Sequence, residues 1–278
     1  IDAVMKGIEI AIHEKPEVYR EVAQFMKDDP LSMGALVTTH KIDMYDAAKD
    51  LFEVHGPLAK RFGELSSISK QGDKLCAHAK DPITAGCSMV EFIPDNYFAD
   101  TGAEVFIMGA GGSAISMGYH LMQEKYRGNY PKRIVIANRS QPRLTEIENI
   151  YKTLDPGGIE FEYYLTPEPG QNDEVLHTMA EGSLIVNATG LGKDRPGSPL
   201  TDDALFPGKA LVWEINYRGD LRFMHQALEQ QKDRDLFVED GWKYFVYGWT
   251  AVISEVFHIP IEGDTFRMCD EIASGFRQ

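Results

Sequence analysis

Val105-Phe106-Ile107-Met108-Gly109-Ala110-Gly111-Gly112-Ser113-Ala114 is the stretch on which the rest of the chain turns. An apolar run ends in a glycine cluster, and helix-compatible Ile115-Ser116-Met117-Gly118-Tyr119-His120-Leu121-Met122 follows. The pattern predicts a buried strand, a tight turn and a helix. Glycines at such a turn reach positive φ and let backbone N–H groups approach an anion, which the positive end of the helix dipole also favours. Gly109, Ala110, Gly111, Gly112 and Ser113 therefore form a candidate phosphate cradle. Ala114 stands near the place where a third glycine would permit close helix–strand packing.

A second apolar strand, Arg133-Ile134-Val135-Ile136-Ala137, runs into Asn138-Arg139-Ser140-Gln141-Pro142-Arg143. A dinucleotide-binding fold places its ribose-reading residue there, and an Asp or Glu at that point selects NAD. This chain offers Arg139 and Arg143 instead, with no acid beside them in the segment. Two planar cations suit a 2′-phosphate, so the expected cofactor is NADP(H).

Composition narrows the remaining classes. The chain has 278 residues, enough for two domains, with ordinary hydrophobic and charged content. Its net charge of −15 disfavours nucleic acid and anionic membrane surfaces as partners. Cys76, Cys87 and Cys269 lack metal-ligand spacing and read as reduced, packed thiols, which points to a cytoplasmic protein. His40 and His78 have no second ligand at helical or hairpin spacing, so no metal is expected. No apolar run reaches membrane-spanning length. The chain opens at Ile1, directly in an apolar segment, from which further residues in front are expected.

Taken in order, residues 3–11 read as a strand and Pro16 to Lys27 as an amphipathic helix, with Val18, Val22, Phe25 and Met26 on its apolar face. Gly34 to Thr39 reads as a strand that runs into His40-Lys41, and Asp43 to Phe52 as a helix followed by a Gly- and Pro-containing connector. Residues 65–69 and 74–79 read as a hairpin around Gln71-Gly72-Asp73. Beyond the glycine turn, strands are expected at 133–137, 161–164, 183–190 and 210–217, and helix from Gly241 onward. The expected fold class is α/β. An N-terminal α/β substrate domain (1–102) joins a Rossmann-type, doubly wound NADP-binding domain (103–238), and C-terminal helices (239–278) return to the first domain.

These residues, in this order, resemble the shikimate dehydrogenase family over most of the chain. The matching features are His40-Lys41, Asp81, the 109–114 turn, Asn138-Arg139-Ser140 with Arg143, Asn187-Ala188-Thr189, Tyr217 and Gly241. The resemblance implies reversible reduction of a ring ketone to an alcohol, with Lys41 and Asp81 as the catalytic pair. A lysine ammonium suits that role: it stabilises the charge that builds on a carbonyl oxygen during hydride transfer and then protonates it. By the same resemblance Ile215 and Gly241 lie beside the nicotinamide, Asn187 and Thr189 shape the cofactor-side strand end, and Tyr217 touches substrate.

The departures from the family pattern cluster on the substrate side. Val37-Thr38-Thr39 replaces Thr-Ile-Pro, so Thr38 or Thr39 stands in for the expected hydroxyl. Ser66-Ser67 replaces an Asn-Thr pair, Ala79-Lys80-Asp81 replaces Asn-Thr-Asp, and Gly248 occupies the place of a helical glutamine. The serines that hold the substrate carboxylate in the family would precede Ile1. The expected substrate is a small polyol or hydroxy acid (shikimate, quinate, an aminated analogue or another cyclic polyol), turned over by a monomer or homodimer. Two alternatives stand beside this reading: an authentic biosynthetic shikimate dehydrogenase, and a non-catalytic NADP(H)-binding sensor.

Overall fold

A proline opens the first helix of the computed structural model, which describes residues 2–11, 13–193 and 195–277. Helix α1 (Pro16–Asp28) buries Tyr19, Ala23 and Met26, which recur at helical spacing. Val18 and Val22 are only half-buried, and Phe25, expected on the apolar face, is 56% exposed. Strand β1 (Gly34–Leu36) is shorter than expected, because the chain turns at Thr39-His40 and Lys41 already opens helix α2 (Lys41–Ala48). The connector after it carries strand β2 (Val54–His55) and helix α3 (Pro57–Phe62), which Gly63 closes at φ +62°. Strands β3 (Ser67–Gln71) and β4 (Lys74–His78) form the expected hairpin.

These strands make a four-stranded sheet of order β1-β3-β4-β2, antiparallel except for the β2–β4 pair. Alternation assigns the two faces of the hairpin different work. Ile68, Leu75 and Ala77 join Tyr19, Ala23, Met26 and Met44 in one apolar core. Ser67, Ser69, Cys76 and His78 lie on the opposite face. Residues 3–11 form no strand: Val4 and Met5 are 83% and 78% exposed. Apolar composition alone does not make a strand, since its N–H and C=O groups need a partner edge, and none pairs with this segment among the described residues.

The later chain begins with helices α4 (Asp81–Phe92) and α5 (Tyr97–Thr101). Then come β5 (Val105–Met108), α6 (Gly112–Leu121), β6 (Arg133–Asn138), α7 (Gln141–Lys152) and β7 (Glu160–Leu165). They are followed by α8 (Pro169–Leu176), β8 (Leu184–Asn187), β9 (Leu211–Glu214), α9 (Arg222–Arg234) and β10 (Phe237–Glu239). Helices α10 (Trp242–Phe257) and α11 (Gly263–Ser274) end the chain. The strands form a six-stranded sheet of order β10-β9-β8-β5-β6-β7, every pair parallel. Every residue of β5, β8 and β9 is buried, which is why these strands read as unbroken apolar runs rather than alternating ones. Phe106, Met108, Val135, Ile185 and Val212 pack against Val175, Leu176, Phe223 and Ala227. Each such large side chain contributes about 1.5–3 kcal/mol by leaving water.

The chain divides into two compact units. Residues up to Lys80 group with Trp249–Phe266, and Asp81–Gly248 group with the residues from Arg267 on. Residues 81–102, read above with the first domain, thus group with the parallel sheet. The C-terminal segment, read as a single return to the first domain, is shared between the units.

Candidate functional site

The order of the parallel sheet reverses between β5 and β8, and open sheets of this type bind ligands beyond the carboxyl ends of the strands at such a switch point. Gly109 leaves β5 there with φ +115°, its N–H donating to the Ala137 carbonyl at 2.7 Å. A Cβ on Gly109 would lie 2.4 Å from the Ala188 oxygen at the end of β8, so only glycine fits. A Cβ on Gly111 would meet nothing within 4 Å, and no side chain caps the start of α6. The first turn of α6 therefore keeps its N–H donors for an incoming anion. Tyr244, on α10, lies 3.2 Å by its hydroxyl from the Ser113 hydroxyl and sets its ring edge-on to Trp213 of β9.

A close helix–helix contact stands one turn beyond Ala114. Ala114 is buried, but the contact that requires glycine is at Gly118, where a Cβ would stand 2.1 Å from the Tyr151 hydroxyl. That hydroxyl donates to the Ala114 carbonyl at 2.6 Å and so ties α7 to α6.

At the end of β6, Asn138 donates to the Ser140 carbonyl at 3.3 Å, which shapes the turn into α7. Arg139 and Arg143 are both exposed. Glu146, one helical turn on, pairs with Arg143 at 2.7 Å, so the two arginines are not equivalent and an acid does stand near this site. Arg139 has no such acid one helical turn away. The open cradle, the glycine turn and Arg139 fit NADP(H).

The strand ends beyond β8 and β9 hold a buried polar network that the sequence reading missed. Asn187 accepts the N–H and the hydroxyl of Thr189 on its Oδ1, at 3.1 and 2.7 Å. Its Nδ2 donates to Glu214 Oε2 at 2.8 Å and to the Leu191 carbonyl at 3.2 Å. Asn216 donates to Glu214 Oε1 through its backbone N–H at 2.9 Å and its Nδ2 at 2.7 Å, and Nδ2 also reaches the Leu191 carbonyl at 3.1 Å. Glu214 is 0% exposed. Burial pushes its carboxyl up to about 7 against the pull of these donors. The signal available in the sequence was an acid set inside the apolar run Leu211-Val212-Trp213-Glu214-Ile215. Gly241 donates its N–H to the Asn216 carbonyl at 3.1 Å, and a Cβ there would lie 2.0 Å from the Ile215 oxygen. Tyr217 stacks on Phe245 at 4.1 Å between centroids, with Lys193 Nζ 5.3 Å from the ring centre. Gly248 leaves open space, since a Cβ there would meet nothing within 4 Å.

The remaining candidates sit apart from that assembly in the chain. Lys41 is the first residue of α2, and its carbonyl accepts the Leu65 N–H at 3.2 Å. Thr38 and Thr39 are exposed in the turn before it. Ser66, 3% exposed, accepts the Lys80 N–H on its hydroxyl at 2.7 Å, so that oxygen already serves the backbone. Lys80 also pairs with Glu255, which stands 3.1 Å from His78 Nε2 at ion-pair range without hydrogen-bond geometry and accepts from Ser69 at 3.3 Å. Asp81 opens α4 and accepts the Thr84 hydroxyl on its carbonyl at 3.3 Å. Among the described residues no helix is long and apolar enough to cross a membrane, and no cluster of three His, Cys, Asp or Glu can hold a metal ion.

No family model matches the chain. The shikimate dehydrogenase (NADP(+)) of Lactococcus lactis subsp. cremoris is 28% identical over 176 residues, which cover 63% of this chain and 57% of that protein. The chain thus spans little more than half the length of this curated relative. Among solved structures, quinate dehydrogenase from Corynebacterium glutamicum in complex with NAD superposes with a TM-score of 0.67 at 16% identity, over 96% of this chain and 85% of that one. Ligand-free 5-ketofructose reductase of Gluconobacter superposes with 0.62 at 16%, over 93% and 85%. At these identities the solved structures establish the fold, the two-domain α/β architecture with a Rossmann-type sheet. The resemblance to shikimate dehydrogenases carried by the motifs is borne out by the curated relative.

Proposed function

We propose that this chain is an NADP(H)-dependent oxidoreductase that interconverts a ketone and a secondary alcohol on a polyhydroxylated, shikimate-like substrate. The observation that carries the reading is the open glycine cradle at the strand switch point, with Arg139 at the end of the neighbouring strand. The NADP(+) named for the curated relative supports the same cofactor. In this reading the parallel-sheet unit holds the cofactor, and the unit that carries Thr38, Thr39, Lys41 and Ser66 serves the substrate.

Bound NADPH would supply the hydride. The rest of the chemistry belongs to the chain. Lys41 gives its ammonium proton to the carbonyl oxygen as negative charge builds there, and in the reverse direction takes up the hydroxyl proton. Asp81 acts as its carboxylate partner, orienting the ammonium and accepting from a neighbouring substrate hydroxyl. Asn187, Thr189, Ile215 and Gly241 form the cofactor's nicotinamide end, and Tyr217 and the space at Gly248 face the substrate. The protein works in the cytoplasm as a monomer or homodimer.

The test is NADPH formation from NADP⁺ with shikimate, quinate and a panel of cyclic and linear polyols, with NAD⁺ in parallel. Turnover of shikimate with NADP⁺ makes the chain a shikimate dehydrogenase that tolerates Ser66 and Gly248, a second reading favoured by the relative's name. Turnover of another polyol assigns the altered pocket its own substrate. NADPH binding with no turnover of any compound would leave a sensor and overturn the proposal.

A further inference from the structure

Glu214 is the group that the chemistry above leaves without a role, and its surroundings constrain it closely. Three donors reach its carboxylate: Asn187 Nδ2 on Oε2, and the Asn216 N–H and Nδ2 on Oε1. No cation is hydrogen-bonded to it among the described residues, and no acceptor stands opposite either oxygen in that set. The two amides cannot be turned round at no cost. Asn187 must present Nδ2 to Glu214 because its Oδ1 already accepts both the N–H and the hydroxyl of Thr189. Thr189 in turn accepts the Leu191 N–H on its hydroxyl at 3.1 Å, and the Leu191 carbonyl receives Nδ2 of both asparagines. Each of these bonds to Glu214 thus comes from a donor, and each meets an ionised carboxylate that is fully shielded from water.

We propose that Glu214 is a positioning residue which, through Asn187 and Asn216, holds the 189–192 loop in the conformation that the nicotinamide end of the cofactor requires. The inference rests on the dinucleotide reading above. It also explains why a buried acid interrupts an apolar strand. A neutral side chain of the same shape cannot replace it, because glutamine has one acceptor and one donor end. In Glu214→Gln, with the amide oxygen kept on Asn216, the new Nε2 faces the Asn187 Nδ2 across a 2.8 Å contact, donor against donor. Relief requires Asn187 to turn its amide, which breaks both bonds to Thr189.

The experiment compares the full chain, Glu214→Gln, and Glu214→Gln combined with Asn187→Asp, by hydrogen–deuterium exchange and NADPH fluorescence titration. The double variant swaps donor and acceptor across the 187–214 contact and keeps the net charge, at the cost of the Asn187 bond to the Leu191 carbonyl, which Asn216 Nδ2 still reaches. Glu214→Gln is expected to speed exchange in residues 188–193 while residues 105–108 stay protected, and to weaken NADPH by about tenfold to a hundredfold through misplacement of the loop. The double variant is expected to restore part of the protection of 188–193, since it repairs the 187–214 contact but not the Asn187 bond to the Leu191 carbonyl. If Glu214→Gln does not fold, Asn216→Ala removes one donor and leaves the carboxylate, and should loosen the same loop through the Leu191 carbonyl. Unchanged exchange in 188–193 overturns the proposal, as does loosening that spreads evenly over the parallel sheet or fails to respond to the swap. A wild-type chain that binds no NADPH fails the dinucleotide reading, while the exchange data still decide whether Glu214 anchors the loop.

Discussion

Gly118→Ala sets two known effects against each other. In the interior of a helix, alanine is favoured over glycine by about 1 kcal/mol. At this position the added methyl would lie 2.1 Å from the Tyr151 Oη and 2.4 Å from its Cζ, well inside contact distance. Tyr151 has little room to yield. It is 4% exposed, and its hydroxyl is held by the Ala114 carbonyl at 2.6 Å. Overpacking of this kind costs about 1–3 kcal/mol, and a buried hydroxyl and carbonyl that lose each other cost about 1–3 kcal/mol more. The net loss is therefore about 1–5 kcal/mol, which corresponds to a fall in Tm of about 2–20 °C at the usual 2–4 °C per kcal/mol for a chain of this size. Thermal unfolding followed by circular dichroism measures it. Tyr151→Phe in the Gly118→Ala background should recover part of the loss, since it removes the nearest atom but leaves Cζ. A Gly118→Ala protein as stable as wild type, or more so, would refute the reasoning, because the helix term would then have outweighed the clash.

Three further outcomes are expected. Arg139→Ala should weaken NADPH far more than NADH by direct titration, and equal weakening would remove Arg139 from the 2′-phosphate. Lys41→Ala should lower kcat by about a hundredfold or more with cofactor affinity retained, and near-normal turnover would end its role as acid and base. Glu214 makes stability depend on pH with a definite sign. Its folded pKa of about 7 lies above the ordinary 4.5 of the unfolded chain, so the folded state holds the extra proton between them. Stability should fall as pH rises from about 4.5 to 7, by about 3 kcal/mol from this one group, and the penalty should be fully present above that window. Urea unfolding of wild type and Glu214→Gln across this range reads the difference, and parallel pH profiles for the two proteins would count against the shift.

Where burial on both faces leaves an unbroken apolar run, sequence and structure agree: β5, β6, β8 and β9 stand where they were expected. The hairpin of β3 and β4 was legible from its turn residues. Segments without such a signature misled. Residues 3–11 are apolar enough for a strand yet pair with no strand among the described residues, and Phe25 has the right spacing but faces solvent. Strands β2 and β10 are too short to show a period, and α3 hides behind its Gly and Pro. Lys41 and Asp81 are distinguished by resemblance alone, since a lysine at a helix start and an aspartate before a proline look like ordinary surface residues.

The sequence by itself determined the α/β class and the strand–glycine turn–helix at 105–121, because each rests on a local rule: apolar period, or the freedom of glycine at positive φ. Only the tertiary structure decided that Gly118 is a helix–helix contact that admits no side chain, that Glu146 occupies Arg143, and that Glu214 joins Asn187 to Asn216. Those facts depend on which atoms of distant segments come within hydrogen-bond or van der Waals reach. That reach is set by how helices and strands pack, which no spacing along the chain records.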